Sequence, residues 1–209
     1  MLRHFALSFV TLFVIVDPVG VAVIFAGLMR GASRELRRRT AVTATCIAAI
    51  LLFAFALAGA AFLDALGISL PAFRIAGGIL LFLLATDMVF ARASGIRAPT
   101  GPEQAEAAHS ADVSVFPLAF PLLAGPGAFT SVVLLTGRAA NVGEFAAVIG
   151  ALALVMAMSL AALLGASSVA RFLGVTGANV IGRVLGIILA ALAAQLVLDG
   201  AAAFLGRGP

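Results

Sequence analysis

Two short motifs place proline, glycine and polar side chains inside long apolar stretches of the chain. The first is DPVG at residues 17–20, and the second is GPG at residues 125–127, which two hydroxyl side chains follow closely. Proline cannot donate to a helical hydrogen-bond ladder, and glycine leaves the backbone accessible. The predicted solute- or ion-binding residues are therefore Asp17, Pro18, Gly20, Gly125, Pro126, Gly127, Thr130 and Ser131.

The chemistry of these two breaks suits a small zwitterion. The amino end of a half-helix has free N–H groups that attract a carboxylate, whereas free carbonyl oxygens attract a cation or an ammonium group. Lipid cannot satisfy such groups, so they require protein, water or a bound solute. A simpler interpretation stays open, in which both prolines bend helices for packing and Thr130 and Ser131 bond to their own backbone.

Asp17 is an ionisable residue near the middle of its apolar stretch, with twelve residues on either side of it. A charge near the centre of a bilayer costs at least about 3 kcal/mol on insertion scales. Because such residues usually have a function, the sequence predicts that Asp17 binds a coupling proton or a sodium ion. No other cofactor and no metal centre is predicted.

Four more charged residues lie inside apolar stretches and could form two alternating ion pairs. Arg74 would pair with Asp199 near one face of the membrane, and Arg183 would pair with Asp87 near the other. Such pairs could act as gates on either side of a central site. The alternative is that each arginine extends its guanidinium group to the lipid headgroups.

The sequence lacks the residues that several kinds of activity require. The chain has no Lys, which excludes a GxxxxGK[ST] nucleotide loop, and it has neither HExxH nor GxSxG. Its thirteen Arg are scattered and do not form a stripe, which argues against a nucleic-acid partner. We therefore expect neither an enzyme nor a nucleic-acid-binding protein.

The composition indicates which elements must position these residues. Of 209 residues, 63% are hydrophobic and 11% are charged, and the mean hydropathy is +1.21, whereas a soluble domain is about half apolar. About 20 apolar residues cross a bilayer core of about 30 Å. The sequence thus predicts an all-α polytopic membrane protein, with the lipid bilayer as a partner. Six stretches are long enough, at residues 5–29, 40–63, 70–91, 113–137, 143–168 and 178–204.

The distribution of Arg predicts the orientation of these helices. Outside the apolar stretches, eight Arg follow the first, third and fifth stretches, and three lie on the other side of the membrane. Arg-rich loops stay in the cytoplasm. Both termini are therefore predicted to lie outside the cytoplasm, with the chain in the cell (inner) membrane.

Two matches within the chain indicate an internal repeat. Pro18 aligns with Pro126 at an offset of 108 residues, and Arg74 aligns with Arg183 at an offset of 109. We predict a single membrane domain over residues 1–209, with one repeat at about 1–95, a polar loop at about 92–112 and a second repeat at about 113–209. With three helices each, the repeats would be inverted, and the first helix of each would be broken near the midplane.

Three stretches resemble a known family. They are VDPVG at residues 16–20, LGISLPAFRIAGGILL at 66–81 and FPLAFPLLAGPGA at 116–128, and together they resemble the MarC family of bacterial and archaeal inner-membrane proteins. That family is similar to neutral amino acid transporters and more distantly to LysE-type exporters. The resemblance implies six transmembrane helices and, for some members, transport of small neutral amino acids. The family usually continues DPxG with Asn and Pro, whereas Val21, Ala22 and Val23 follow here. If that Asn helps to hold the solute, a more apolar solute is an alternative.

These features predict a secondary transporter or exporter of a small neutral or zwitterionic solute, with amino acids as one class. Two related halves would then provide alternating access. One alternative is a non-transporting membrane protein that assembles or stabilises partners, with kinked helices that serve only packing. Another is an intramembrane enzyme. The sequence permits a homo-oligomer but does not indicate one.

Overall fold

A computed structural model describes residues 1–90 and 113–206, and within these ranges the chain is helical and contains no β-strand. Among the described residues, five helices are long and apolar enough to cross a membrane, and a bent pair of helices adds a sixth crossing if it is counted as one span. The predicted all-α polytopic membrane fold is thereby confirmed. The inverted relation of the two halves stays a prediction, and the polar loop at 92–112 lies outside the described residues.

The first half of the chain forms three spans. The helices α1 (Leu2–Val16) and α2 (Pro18–Leu28) together make the first span, which is interrupted at Asp17. The second is α3 (Arg34–Ala65), whose N-cap Ser33 accepts a hydrogen bond from the Leu36 N–H at 3.2 Å. The third is α4 (Leu70–Phe90). Because the Arg-rich first turns are also helical, α3 is longer than its predicted apolar stretch.

The fourth span is bent. Its first part, α5 (Ser114–Leu123), is a π-helical segment with extended backbone at Phe116 and Phe120, each of which precedes a proline. Proline disfavours the helical conformation of the residue before it, which explains the irregular turns. The second part, α6 (Pro126–Gly137), starts with a proline at a position where the missing N–H is not needed. The two parts are inclined by 53°.

The last two spans are α7 (Val142–Leu164) and α8 (Ala166–Phe204). Gly165 separates them, so the fifth span ends four residues before the predicted end at 168. Gly174 adopts a φ of 60°, which interrupts the helix inside α8. The apolar part of α8 therefore begins near Asn179, close to the predicted start at 178.

Small residues allow α4 and α8 to pack closely. A Cβ atom on Gly78 would lie 2.7 Å from the Val197 side chain, and one on Gly186 would lie 2.8 Å from the Met88 side chain. Close approach of this kind is typical of membrane helices, where small residues bring backbones together. These contacts hold α8, which carries Asp199, close against α4.

Candidate functional site

Asp17 lies at the first break, where it joins the two halves of the first span. Its backbone is left-handed, with φ 46° and ψ 68°, a conformation that Asp tolerates better than most side chains do. Its Oδ1 accepts a hydrogen bond from the Gly20 N–H at 3.0 Å, so Asp17 is the N-cap of α2. The residue is 2% exposed, which places a carboxyl group in the interior of the helix bundle.

The second break is built differently. Gly125 has an extended backbone, and no side chain in the described ranges caps the start of α6. A Cβ atom on Gly125 would lie 2.6 Å from the Pro121 carbonyl oxygen, so the tight turn requires glycine here. At the start of α6, Pro126 has no N–H, and the Ala128 and Phe129 N–H groups donate to the Gly125 carbonyl oxygen at 2.9 Å and 3.1 Å.

The two breaks lie close together, because a Cβ atom on Gly127 would lie 3.5 Å from the Ile15 side chain. A cavity of about 30 Å³ between them is lined by Ile15 and Val16 from α1, by Leu80 and Leu84 from α4, and by residues 121–123 and 125–128. That volume corresponds to about one water molecule. We call the region where the two breaks meet around this cavity the break junction. Gly127 faces Leu81 across the junction, and its missing side chain makes room for that leucine.

A second cavity of about 140 Å³ begins beside the break junction and extends towards the ends of α6 and α8. Ile15 lines both cavities. We call this one the Arg138 cavity. Its volume corresponds to about four or five water molecules at about 30 Å³ each. Its walls are apolar except for the polar side chains of Thr11, Ser131, Arg138, Gln195 and Asp199.

The charges of the Arg138 cavity form a small network at its outer end. Arg138 Nη2 lies 2.9 Å from Asp199 Oδ2, and Gln195 Nε2 donates to Asp199 Oδ1. Arg74 lies within electrostatic range of both Arg138 and Asp199. Two positive charges therefore face one negative charge, which leaves the outer end of the cavity with a net positive charge.

Two buried polar atoms near this cavity have no hydrogen-bond partner among the described residues: Ser131 Oγ and Arg74 Nε. An unsatisfied buried hydroxyl is unfavourable, and such a group calls for a ligand, a water or a function. The neighbouring Thr130 differs, because its Oγ1 donates to the Pro126 carbonyl oxygen at 2.9 Å. The simple interpretation of a hydroxyl bonded to its own helix thus fits Thr130 but not Ser131.

The predicted gate residues are distributed as follows. Arg74 and Asp199 lie near each other, but the direct partner of Asp199 is Arg138, which sequence reasoning had placed only in a connecting loop. Arg183 is exposed on α8 and Asp87 is buried in α4, and their pairing stays a prediction. The spacing of Gln195 and Asp199, four residues apart, was a signal for a polar helix face that sequence reasoning missed.

Comparison with known proteins places the chain in a family. Residues 2–205 match the model described as MarC family integral membrane protein. The chain is 38% identical to a UPF0056 membrane protein of Archaeoglobus fulgidus, over 96% of this chain and 93% of the relative. It is 32% identical to the UPF0056 membrane protein YvbG of Bacillus subtilis, over 92% and 91% respectively. No solved structure matches it. The chain belongs to the MarC family, which confirms the resemblance.

Proposed function

We propose that this MarC family protein is a secondary transporter or exporter of a small neutral or zwitterionic solute, with small amino acids as the favoured class. The observation that carries the proposal is the Arg138 cavity, in which Ser131 presents a buried hydroxyl without a partner in the described ranges. A cavity of about 140 Å³ suits a compact solute. The names of the family and of its relatives state membrane location and no substrate.

The polar groups of the Arg138 cavity complement a zwitterion. Arg138 offers a guanidinium fork that matches a carboxylate, and Ser131 can donate a further hydrogen bond to it. Asp199 carries the opposite charge and suits an ammonium group. Solute binding would replace the ion pair between Arg138 and Asp199 with two contacts to the solute, so that no charge is left without a partner.

The two cavities differ in a way that supports alternating access. The Arg138 cavity is close to the surface, because Arg138 and Asp199 keep 48% and 29% of their side-chain surface exposed. The break junction behind it has room for about one water molecule. We therefore interpret this conformation as open on the predicted external side and closed at the junction. Transport would require the junction to open towards the cytoplasm while the outer end closes.

Asp17 follows directly after Ile15 and Val16, which line the break junction, and we propose that it carries the coupling proton or sodium ion. It is buried, and the bond from Gly20 N–H to its Oδ1 ties its carboxylate to the first turn of α2. Protonation of Asp17 would weaken this cap. Coupling would then act through the position of α2 relative to α1.

A binding measurement tests the proposal. Purified protein is titrated with glycine, alanine and other neutral amino acids, and binding is followed by the increase in thermal stability. We expect saturable stabilisation by at least one of them, and we expect Ser131→Ala to weaken it about fivefold through the loss of one hydrogen bond. Ser159→Ala is the matched control, because Ser159 is equally buried and donates to its own helix at Val155.

Unchanged binding in Ser131→Ala would show that the Ser131 hydroxyl does not contact the solute. The absence of any saturable ligand among the neutral amino acids would favour the alternative, a membrane protein that assembles or stabilises partners.

A further inference from the structure

A cavity of about 510 Å³ lies at the opposite end of the helices from the Arg138 cavity, on the predicted cytoplasmic side. It is enclosed by the end of α2, the start of α3 and the junction of α7 and α8. We call it the three-arginine cavity. Its important lining residues are Phe25, Arg34, Arg37, Arg38, Leu163 and Ser167.

Arg37 is held against the wall of this cavity. Its Nη1 donates to Ser167 Oγ at 2.7 Å, and its Nε donates to the Ala32 carbonyl oxygen at 3.1 Å. Arg37 is therefore oriented by partners that do not neutralise its charge. Arg34 and Arg38 line the same cavity from one face of α3, one helical turn apart.

The three positive charges form no ion pair within the described ranges, and the carboxylate in the first turn of α3, Glu35, is exposed. No carboxylate there forms an ion pair with Arg34, Arg37 or Arg38. Like charges one turn apart destabilise a helix, and the amino end of a helix is itself positive. An anion inside the cavity would relieve all of this repulsion at once.

The shape and chemistry of the cavity select the kind of anion. Three guanidinium groups present several forked N–H donors, which match the oxygens of a phosphate group better than they match a single carboxylate. Phe25 and Leu163 provide an apolar wall beside the charges, which suits hydrocarbon attached to the phosphate. We propose that the three-arginine cavity is a binding site for a phosphate group, carried by an anionic phospholipid or by a soluble phosphate ester.

This site is independent of the proposed transport function. Its test uses the full chain, purified in a neutral detergent, with native mass spectrometry and thermal denaturation as readouts. The probes are phosphatidylglycerol, phosphatidylcholine and glycerol 3-phosphate. The test variant is the double substitution Arg34→Gln and Arg38→Gln, because neither side chain makes a hydrogen bond that the fold depends on within the described ranges. Arg39→Gln is the control, since Arg39 is a neighbouring arginine that does not line the cavity.

We expect wild-type protein to bind phosphatidylglycerol or glycerol 3-phosphate in preference to phosphatidylcholine, with binding about tenfold weaker for each arginine removed. Arg39→Gln should bind as wild type does. Binding of phosphatidylglycerol alone would identify a lipid headgroup, and competition by glycerol 3-phosphate would identify a soluble ester. Failure of phosphatidylglycerol and glycerol 3-phosphate to bind would overturn the proposal. An equal loss in Arg39→Gln would also overturn it, in favour of a general surface charge effect.

Discussion

Asp17 combines a cap with an unusual backbone conformation. Its Oδ1 accepts the Gly20 N–H, and its φ is positive. Asn can accept the same hydrogen bond and also tolerates the left-handed conformation, whereas Ala can do neither. We predict that Asp17→Ala lowers the free energy of unfolding by about 1–2 kcal/mol and that Asp17→Asn changes it by less than about 0.5 kcal/mol. Thermal denaturation of the two purified variants measures both changes.

The Asn variant also separates the charge of Asp17 from its cap. In proteoliposomes, we expect wild-type uptake to increase when a proton or sodium gradient is imposed, and we expect Asp17→Asn to lose this response because it has no titratable group. Measurement of initial uptake rates with and without each gradient distinguishes the two proteins. A variant that responds to the gradients as wild type does would assign Asp17 to capping alone.

The contact between α4 and α6 depends on one glycine of α4. A Cβ atom on Gly77 would overlap the side chain of Thr130, which is buried and bonded to its own helix. We predict that Gly77→Ala destabilises the protein by about 1–3 kcal/mol, as overpacking of a tight contact does. Chemical or thermal denaturation in detergent measures the change.

Gly182→Ala in α8 is the control for this prediction. No described atom lies within 4 Å of the Cβ position at Gly182, so alanine there should keep or raise stability by up to about 1 kcal/mol through helix propensity. Equal effects at both positions would show that close packing between α4 and α6 is not what Gly77 provides.

At the level of helices, the sequence predicted those features that a single local rule determines. Pro18 and Pro126 predicted both breaks, because proline interrupts a helix wherever it lies. The irregular α5 was not predicted, since its form depends on two prolines acting together four residues apart. Arg138 was also missed, because its partner Asp199 lies 61 residues away in sequence. Only the packing of both α6 and α8 against α4 and α1 brings the two residues together.

For the whole molecule, the arrangement of Arg predicts a topology that can be measured. Reporter fusions at Leu36 and near Glu103 should be cytoplasmic, and a fusion after Arg207 should be external, because eight Arg lie on one side of the membrane and three on the other. The orientation also decides which of the two large cavities faces outwards. External fusions at Leu36 and near Glu103 with a cytoplasmic C-terminus would reverse that assignment. A cytoplasmic C-terminus with cytoplasmic fusions at Leu36 and near Glu103 would contradict the odd number of spans in the second half.

The central claim is that the Arg138 cavity and the break junction form a pathway for a small solute, and solute flux tests it most directly. Wild-type protein is reconstituted into liposomes, and uptake of labelled neutral amino acids is measured beside Ser131→Ala, Arg138→Gln and the control Ser159→Ala. We predict saturable uptake that unlabelled solute competes away, reduced in the two cavity variants and retained in the control. Uptake equal to that of protein-free liposomes, or equal in all four proteins, would contradict the claim.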